Sequence, residues 1–375
     1  ITLVSGANSI ENNFGEIVTA SLGDRLWVDT NGDGLQNDGA TGIVGQTVTL
    51  IGGGADGLIS TTGDNTSVTT TTGADGIYGF AGLTPGVEYQ VQFAAPSGTV
   101  FTAPNVSANG FDSIDSDANT STGKTQLVTL AQGENNTTLD AGVYTPAKLS
   151  GYVYKDVGND GVRNAEPPIA GVVLTLSGTD GAGNAVSGTA TTDANGYYQF
   201  TNLAPGSYTV SEAQPAGYID GKETAGSTGG NTAVNDVISA ITLVSGANSI
   251  ENNFGEIVPL NPGIDIEKTT NGPTNSNPTA PDYDNEDTAG GVGVAILTPG
   301  SVVTWTYQVT NTGNTTFSKS DIAIVDDNGT TANGADDLSV ANGKITYLSG
   351  DVGNDNLLSP NEVWLYQATG IVQNL

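Results

Sequence analysis

The string ITLVSGANSIENNFGEIV at residues 1–18 returns letter for letter at residues 241–258. Identity of that length at a fixed offset marks an array, and an array folds as a series of like modules rather than around one core. The offset of 240 residues is the length of two modules, and two further pairs of segments locate them. LGDRLWVDTNGDG (22–34) aligns with LSGYVYKDVGNDG (149–161), and ADGIYGFAGLTPG (74–86) with ANGYYQFTNLAPG (194–206). The expected organisation is a closing strand of a preceding module at 1–18, module one at 19–146 and module two at 147–258. A different module follows at 259–375, C-terminally incomplete. On this reading both ends are interior to a longer polypeptide.

The segments between turns alternate. TVTL (47–50), VVLTL (172–176) and VTWTYQVT (303–310) put apolar and polar residues on opposite faces, the pattern of half-buried strands. No stretch has the period of a long amphipathic helix. Asp75-Gly76 and Asn195-Gly196 read as hairpin turns, because a type I′ turn needs positive φ at both central residues. Beyond them Tyr78 with Phe80, and Tyr198 with Phe200, fall on one strand face and read as core. Pro85-Gly86 and Pro205-Gly206 mark the next turns, leading to Tyr89 and Tyr208. Strands this regularly spaced predict an all-β chain of β-sandwich modules.

Composition narrows the chemistry. Net charge is −31, and the chain has no His, Cys or Met. Without His or Cys there is no Ser–His relay and no thiol nucleophile, and the carboxylates sit in Gly-rich loops rather than across a cleft, so the chain reads as non-enzymatic. The acidity disfavours nucleic acid, and no apolar run is long enough to span a membrane. Without disulfides, small Gly-rich modules need another stiffener. The surplus of hard oxygen donors points to Ca2+.

Three loops have calcium-type spacing. The first offers Asp29, Asn31, Asp33, the Leu35 carbonyl, Asn37 and Asp38, with Gly34 at the sharp turn and Ala40 where a closing Glu would stand. The second offers Asp156, Asp160, Val162 (carbonyl), Asn164 and Glu166, with Gly158 at the third position and the closing acid one residue early. The third offers Asp351, Asp355, Leu357 (carbonyl), Ser359 and Glu362, with Asn356 in place of the glycine. Each can also be read as a polar turn. A second kind of cluster is Asp112, Asp115 and Asp117, in which Asp115 and Asp117 share one strand face and repel unless a cation lies between them. Its counterpart in module two is Asp220, Glu223 and Asp236. The last module holds Asp282, Asp284 and Asp287, and Asp326, Asp327, Asp336 and Asp337. These clusters are equally readable as solvated acidic loops.

The motifs VDTNGDGLQN (28–37), TDANGYYQF (192–200), QPAGYIDGKETAG (214–226) and NNFGE (252–256) resemble the SdrD B-like modules of serine-aspartate repeat surface proteins, over about two thirds of the chain. IDIEK (264–268), VTWTYQVTNTGN (303–314) and SPNEVW (359–364) resemble an immunoglobulin-like repeat found beside such modules. The resemblance implies prealbumin- or immunoglobulin-like sandwiches in an elongated array, bound calcium, including calcium near the Asp115-Ser116-Asp117 run with Asp140 of the closing strand as its partner, and a stalk or adhesin on a bacterial surface. It also raises an internal isopeptide bond in module two, from Lys148 to Asn252 or Asn253 beside Glu212, with an exposed lysine as the plain reading. The expected function is a calcium-stiffened rod, stalk or filament, extracellular or on the cell surface. Its partners would be further modules of the same chain or copies of itself. The alternatives are an adhesin module gripping a host or neighbour-cell ligand, and a filament subunit joined by donation of strand 1–18.

Overall fold

The computed structural model describes residues 16–39, 41–104, 113–270, 297–328 and 334–372. Among them every regular element is a strand apart from two single 3-10 turns, Ala74–Gly76 and Lys319–Asp321. The chain divides into two compact units, Ile1–Val258 and Pro259–Leu375.

The first unit holds two separate apolar cores, one per module. In module one an antiparallel sheet runs in the order Thr66–Thr71, Thr47–Gly52, Glu88–Phe93, Val128–Thr129. Its strands bury alternate residues: Val48 and Leu50 on one, Tyr89, Val91 and Phe93 on the next. Opposite lie two three-stranded sheets that supply Ala20, Leu22, Leu26, Ala141 and Val143 to the same core. The period of two is thus a statement of which face meets the other sheet.

Module two repeats this plan with longer strands. One sheet runs Tyr197–Leu203, Ala147–Lys155, Asn253–Ile257, Ile219–Thr224, and the other runs Ala185–Thr191, Val173–Asp180, Gly206–Glu212, Val237–Leu243, Asn231–Val234. Leu149, Val153, Leu174, Val210, Ile238 and Phe254 fill the space between them. In both modules an early and a late strand pair in parallel and in equivalent register, Val28 opposite Val143 and Lys155 opposite Glu256. That register is a consequence of the aligned segments read from the sequence.

The aromatic residues placed in the core are there: Tyr78, Phe80, Tyr198 and Phe200 are buried. The hydroxyl of Tyr198 donates to the Asn252 carbonyl at 2.7 Å and that of Tyr78 to the Leu139 carbonyl. The two hairpin turns differ. Asp75 and Gly76 both have positive φ, as a type I′ turn requires, whereas in module two only Gly196 does. The reason is Asp193, whose Oδ1 accepts from the N–H groups of Asn195 (2.8 Å) and Tyr197 (2.9 Å) and holds Asn195 at negative φ. Module one has Gly73 at that place and no such acceptor.

The second unit is built on an antiparallel sheet of Ile264–Thr270, Val302–Asn311, Val363–Ile371 and Thr346–Ser349. Short ladders carrying Leu338 and Leu358, with Ile322 and Ile324 from the segment between them, close its core over Tyr307, Val309 and Trp364. Of the expected closing strand at 1–18, residues 1–15 lie outside the described residues. Val18 accepts a backbone hydrogen bond from Gly133 at 3.3 Å.

Candidate metal centres

The three loops share one wiring. Each opening aspartate accepts backbone N–H groups from the turn it encloses. Asp29 takes Gly32 (2.7 Å) and Gly34 (2.8 Å), Asp156 takes Asp160 (3.0 Å) and Gly161 (2.8 Å), and Asp351 takes Asp355 (3.1 Å) and Asn356 (3.0 Å). Each fifth-position aspartate then accepts the N–H two residues on: Asp33 from Leu35 (2.9 Å), Asp160 from Val162 (2.8 Å), Asp355 from Leu357 (2.9 Å). Each closing acid returns to the second residue of its loop, Asp38 to Thr30 N (2.9 Å), Glu166 to Val157 N (2.9 Å) and Glu362 to Val352 N. The closing acid therefore folds back whether it stands at the tenth, eleventh or twelfth position. Positive φ at Gly32, Gly34, Asn159, Gly161, Asn354 and Asn356 makes the tight path possible.

The finer assignments fare differently. The Leu35 and Val162 carbonyls accept from Asn37 N and Asn164 N, each at 2.9 Å. Asn31 and Asn37 both donate through Nδ2 to Asp33 Oδ2, at 2.9 and 2.7 Å. Ser359 donates its N–H to Glu362 at 2.7 Å. Asp29 is fully buried and also accepts from Thr102 Oγ1 at 2.6 Å, a partner 73 residues away. Burial raises its carboxyl above the usual range, against these three hydrogen bonds that lower it.

The Asp-Ser-Asp run lies against the first loop, with Ser116 N donating to the Gly34 carbonyl at 3.0 Å. It brings Asp115, Asp117 and Asp140 together in the interior, at 2%, 3% and 0% exposure. Asp117 and Asp140 are tied through the backbone, Asp140 N donating to Asp117 Oδ2 at 2.9 Å. Asp24, which the sequence did not single out, completes the group. Burial, then the charges of Asp24 and Asp117, push the Asp140 carboxyl up to about 10, and burial pushes Asp24 to about 6. Asp112 lies outside the described residues.

In module two Asp220, Glu223 and Asp236 are brought together, with one oxygen of each within 4.8 Å of the others. A bulge between Asp220 and Glu223 lets both acids, three residues apart, face the same side of their strand. The sequence did not assign Glu212 and Glu256 to this group, yet both join it: Glu212, Asp236 and Glu256 meet the same distance limit. Burial, then the charge of Glu256, raises Glu212 to about 9, and burial raises Glu256 to about 7 against a hydrogen bond from Gln214. Lys148 is exposed and lies opposite Asn248, while the buried Asn252 gives its Nδ2 to Ser150 O and Ser249 Oγ. Asn253 accepts from Tyr152 N at 3.0 Å and donates its Nδ2 to Glu251 at 2.9 Å, and Glu212 lies among acids.

In the second unit Asp326 is an ion-pair partner. Its Oδ2 lies 2.6 Å from Lys268 Nζ and accepts from the Tyr307 hydroxyl. The Asp336 and Asp337 carbonyls accept from Lys344 Nζ. Asp282, Asp284 and Asp287 lie outside the described residues.

The first loop is also a joint. Ser245 of module two donates its N–H to the Thr30 carbonyl at 2.8 Å, and its hydroxyl accepts from Thr145 N at 2.9 Å. Gly181 lies so close to Asn31 that a Cβ there would stand 2.1 Å from the Asn31 carbonyl oxygen. Gly32 packs on Pro205.

The family model for the SdrD B-like domain matches twice, at residues 20–143 and 147–255, which is more than half of the chain. The chain belongs to the SdrD B-like domain family. The family is one of repeat modules of bacterial cell-surface proteins, not of enzymes. Among the relatives, serine-aspartate repeat-containing protein F of Staphylococcus epidermidis is 38% identical over 232 residues, 61% of this chain and 12% of the relative. Serine-aspartate repeat-containing protein D of Staphylococcus aureus (strain Newman) is 36% identical over 228 residues, 60% of this chain and 16% of the relative. The chain thus spans less than a fifth of the length of either. Solved structures that match it include the minor pilin of Streptococcus agalactiae, at 13% identity and TM-score 0.24, covering 65% of this chain and 98% of that one. The Bacillus anthracis TIE protein matches at 15% identity and TM-score 0.27, covering 77% and 45%. Among the described residues of this SdrD B-like chain no helix is long and apolar enough to cross a membrane.

Proposed function

We propose that this segment is a calcium-stiffened structural part, a stalk or rod, of a bacterial cell-surface protein, and that its partners are neighbouring modules. The observation that carries the proposal is the shared wiring of the loops at 29–38, 156–166 and 351–362. Three loops of different sequence reach one arrangement of hard oxygen donors, which is what calcium selects. In module one the same loop touches module two, so fixing the loop fixes the joint. Module one offers a second place for a cation: Asp140 is fully buried among acids, where it holds its proton unless a counter-charge is supplied, and among the described residues no N–H reaches its oxygens. Calcium would supply that counter-charge, and its binding free energy would add to the free energy of folding.

The test is thermal unfolding of the chain in calcium and in chelator. The proposal expects a clear fall in melting temperature on chelation, restored by added calcium. A melting temperature that does not respond to either would refute it.

A further inference from the structure

We propose that module two contains an inner divalent-cation site, formed by Glu212, Asp236 and Glu256, which staples its two sheets together and shares Asp236 with an outer ion held by Asp220 and Glu223. It rests on the reading that this segment binds calcium, but not on the three loops.

The strands aim these acids inward. On Gly206–Glu212 the buried positions are Tyr208, Val210 and Glu212, and on Asn253–Ile257 Glu256 follows the core residue Phe254 by two. Glu212 is 8% exposed and Glu256 1%. Among the described residues neither oxygen of Glu212 has a hydrogen-bond partner, nor do Asp220 Oδ1 and Asp236 Oδ1, which are also shielded from solvent. Glu256 has Gln214 as a donor. Lys155, across the parallel ladder from Glu256, forms no ion pair with it among the described residues. Buried carboxyls in this state must hold their protons or take a cation between them, since burying their charges unpaired is costly.

The fold does not require acids here. YQVQF (89–93) in module one aligns with YTVSE (208–212) in module two, and the registers agree: Phe93 lies opposite Val48, and Glu212 opposite Leu174. Val143 stands where Glu256 stands. Module one fills both positions with apolar core; module two fills them with paired acids over the same backbone.

The geometry suits a cation of calcium's size. Three oxygens within 4.8 Å of one another have a common point no farther than about 2.8 Å from each, a limit that admits calcium–oxygen distances of about 2.3–2.6 Å. The ligands bridge the sandwich: Glu212 belongs to one sheet and Glu256 to the other, and Asp236 lies in the turn before Val237. In a chain without cysteine, such an ion does the work of a cross-link.

The experiment is calcium stoichiometry of the full chain by native mass spectrometry, with calcium alone as the probe. Glu212→Gln, and separately Glu212→Phe with Glu256→Val, which installs the residues of module one, are each expected to lose one ion. Asp236→Asn is expected to lose two. In chelator the Phe/Val replacement is expected to melt above the parent protein, because it replaces buried carboxyls that lack hydrogen-bond partners with apolar side chains. An unchanged stoichiometry in the Gln and Phe/Val variants, or a Phe/Val protein that melts lower in chelator, overturns the inference. Asp29→Asn and Asp156→Asn keep the two readings apart. If these lose ions while the Glu212 variants do not, only the inner site falls; if the parent protein binds no calcium, the broader reading falls with it.

Discussion

Replacing Asp29 with alanine separates the structural role of the first loop from its role toward a cation. The Asp29 carboxylate accepts from Gly32 N, Gly34 N and Thr102 Oγ1 at 2.7, 2.8 and 2.6 Å, and it is fully buried. Alanine leaves three donors without an acceptor. At about 1–3 kcal/mol for each buried donor, reduced because water and relaxation recover part, the expected loss is about 3–5 kcal/mol. For a module of this size that is a fall of roughly 10–20 °C in its unfolding transition. The assay is differential scanning calorimetry of the whole chain in chelator, so that no metal contributes. Asp33→Ala is the contrast: Asp33 is only half-buried, and its carboxylate serves Leu35 N and the side-chain amides of Asn31 and Asn37. Its loss in chelator should stay near 1 kcal/mol, while in calcium both variants should lose the stabilisation the ion gives. An Asp29→Ala protein that melts within about 2 °C of the parent in chelator would refute the assignment of Asp29 as the anchor of the loop.

Further outcomes are expected elsewhere in the chain. Burial raises Asp326, but hydrogen bonds from Lys268 and Tyr307 more than offset it, so its carboxyl lies below the usual range. A lowered folded value means stability that is present above the unfolded value near about pH 4 and is lost as pH falls through the folded one. Calorimetry across that window should show the second unit weakening in acid, and Asp326→Asn should flatten this response. Gly181→Ala should open the joint, since its Cβ would stand 2.1 Å from the Asn31 carbonyl oxygen. Limited proteolysis should then cut faster at Thr145–Ala147, with the two core transitions unmoved. Tyr198→Phe removes the buried hydrogen bond to Asn252 O and should cost about 1–2 kcal/mol in denaturant unfolding of module two. A neutral substitution there would contradict the bond.

The sequence made the modules and the loops legible because both are local. A strand announces its inward face by alternation, and a calcium-type loop is a spacing within a dozen residues. The acid clusters are not local. Glu212 and Glu256, 44 residues apart, are brought together by the packing of one sheet on the other, and Asp24 meets Asp140 only because the two ladders of module one share an interior. One signal was nonetheless present: with the two modules aligned, a glutamate in module two falls on the strand position where module one has Phe93. An acid at a core-facing parity is a mismatch that local propensity does not explain, and it marks a place where module two departs from the apolar filling of module one. Thr102 as a partner of Asp29, and Gly181 at the joint, depend on contacts between distant segments that no spacing encodes.

Site-resolved hydrogen exchange of the full chain, with and without calcium, tests the central claim most directly. Calcium-linked stiffening predicts slowed exchange at 29–38, 156–166 and 351–362, at the acid clusters, and at the joint residues Thr145 and Ser245. The same exchange pattern in calcium and in chelator would contradict it.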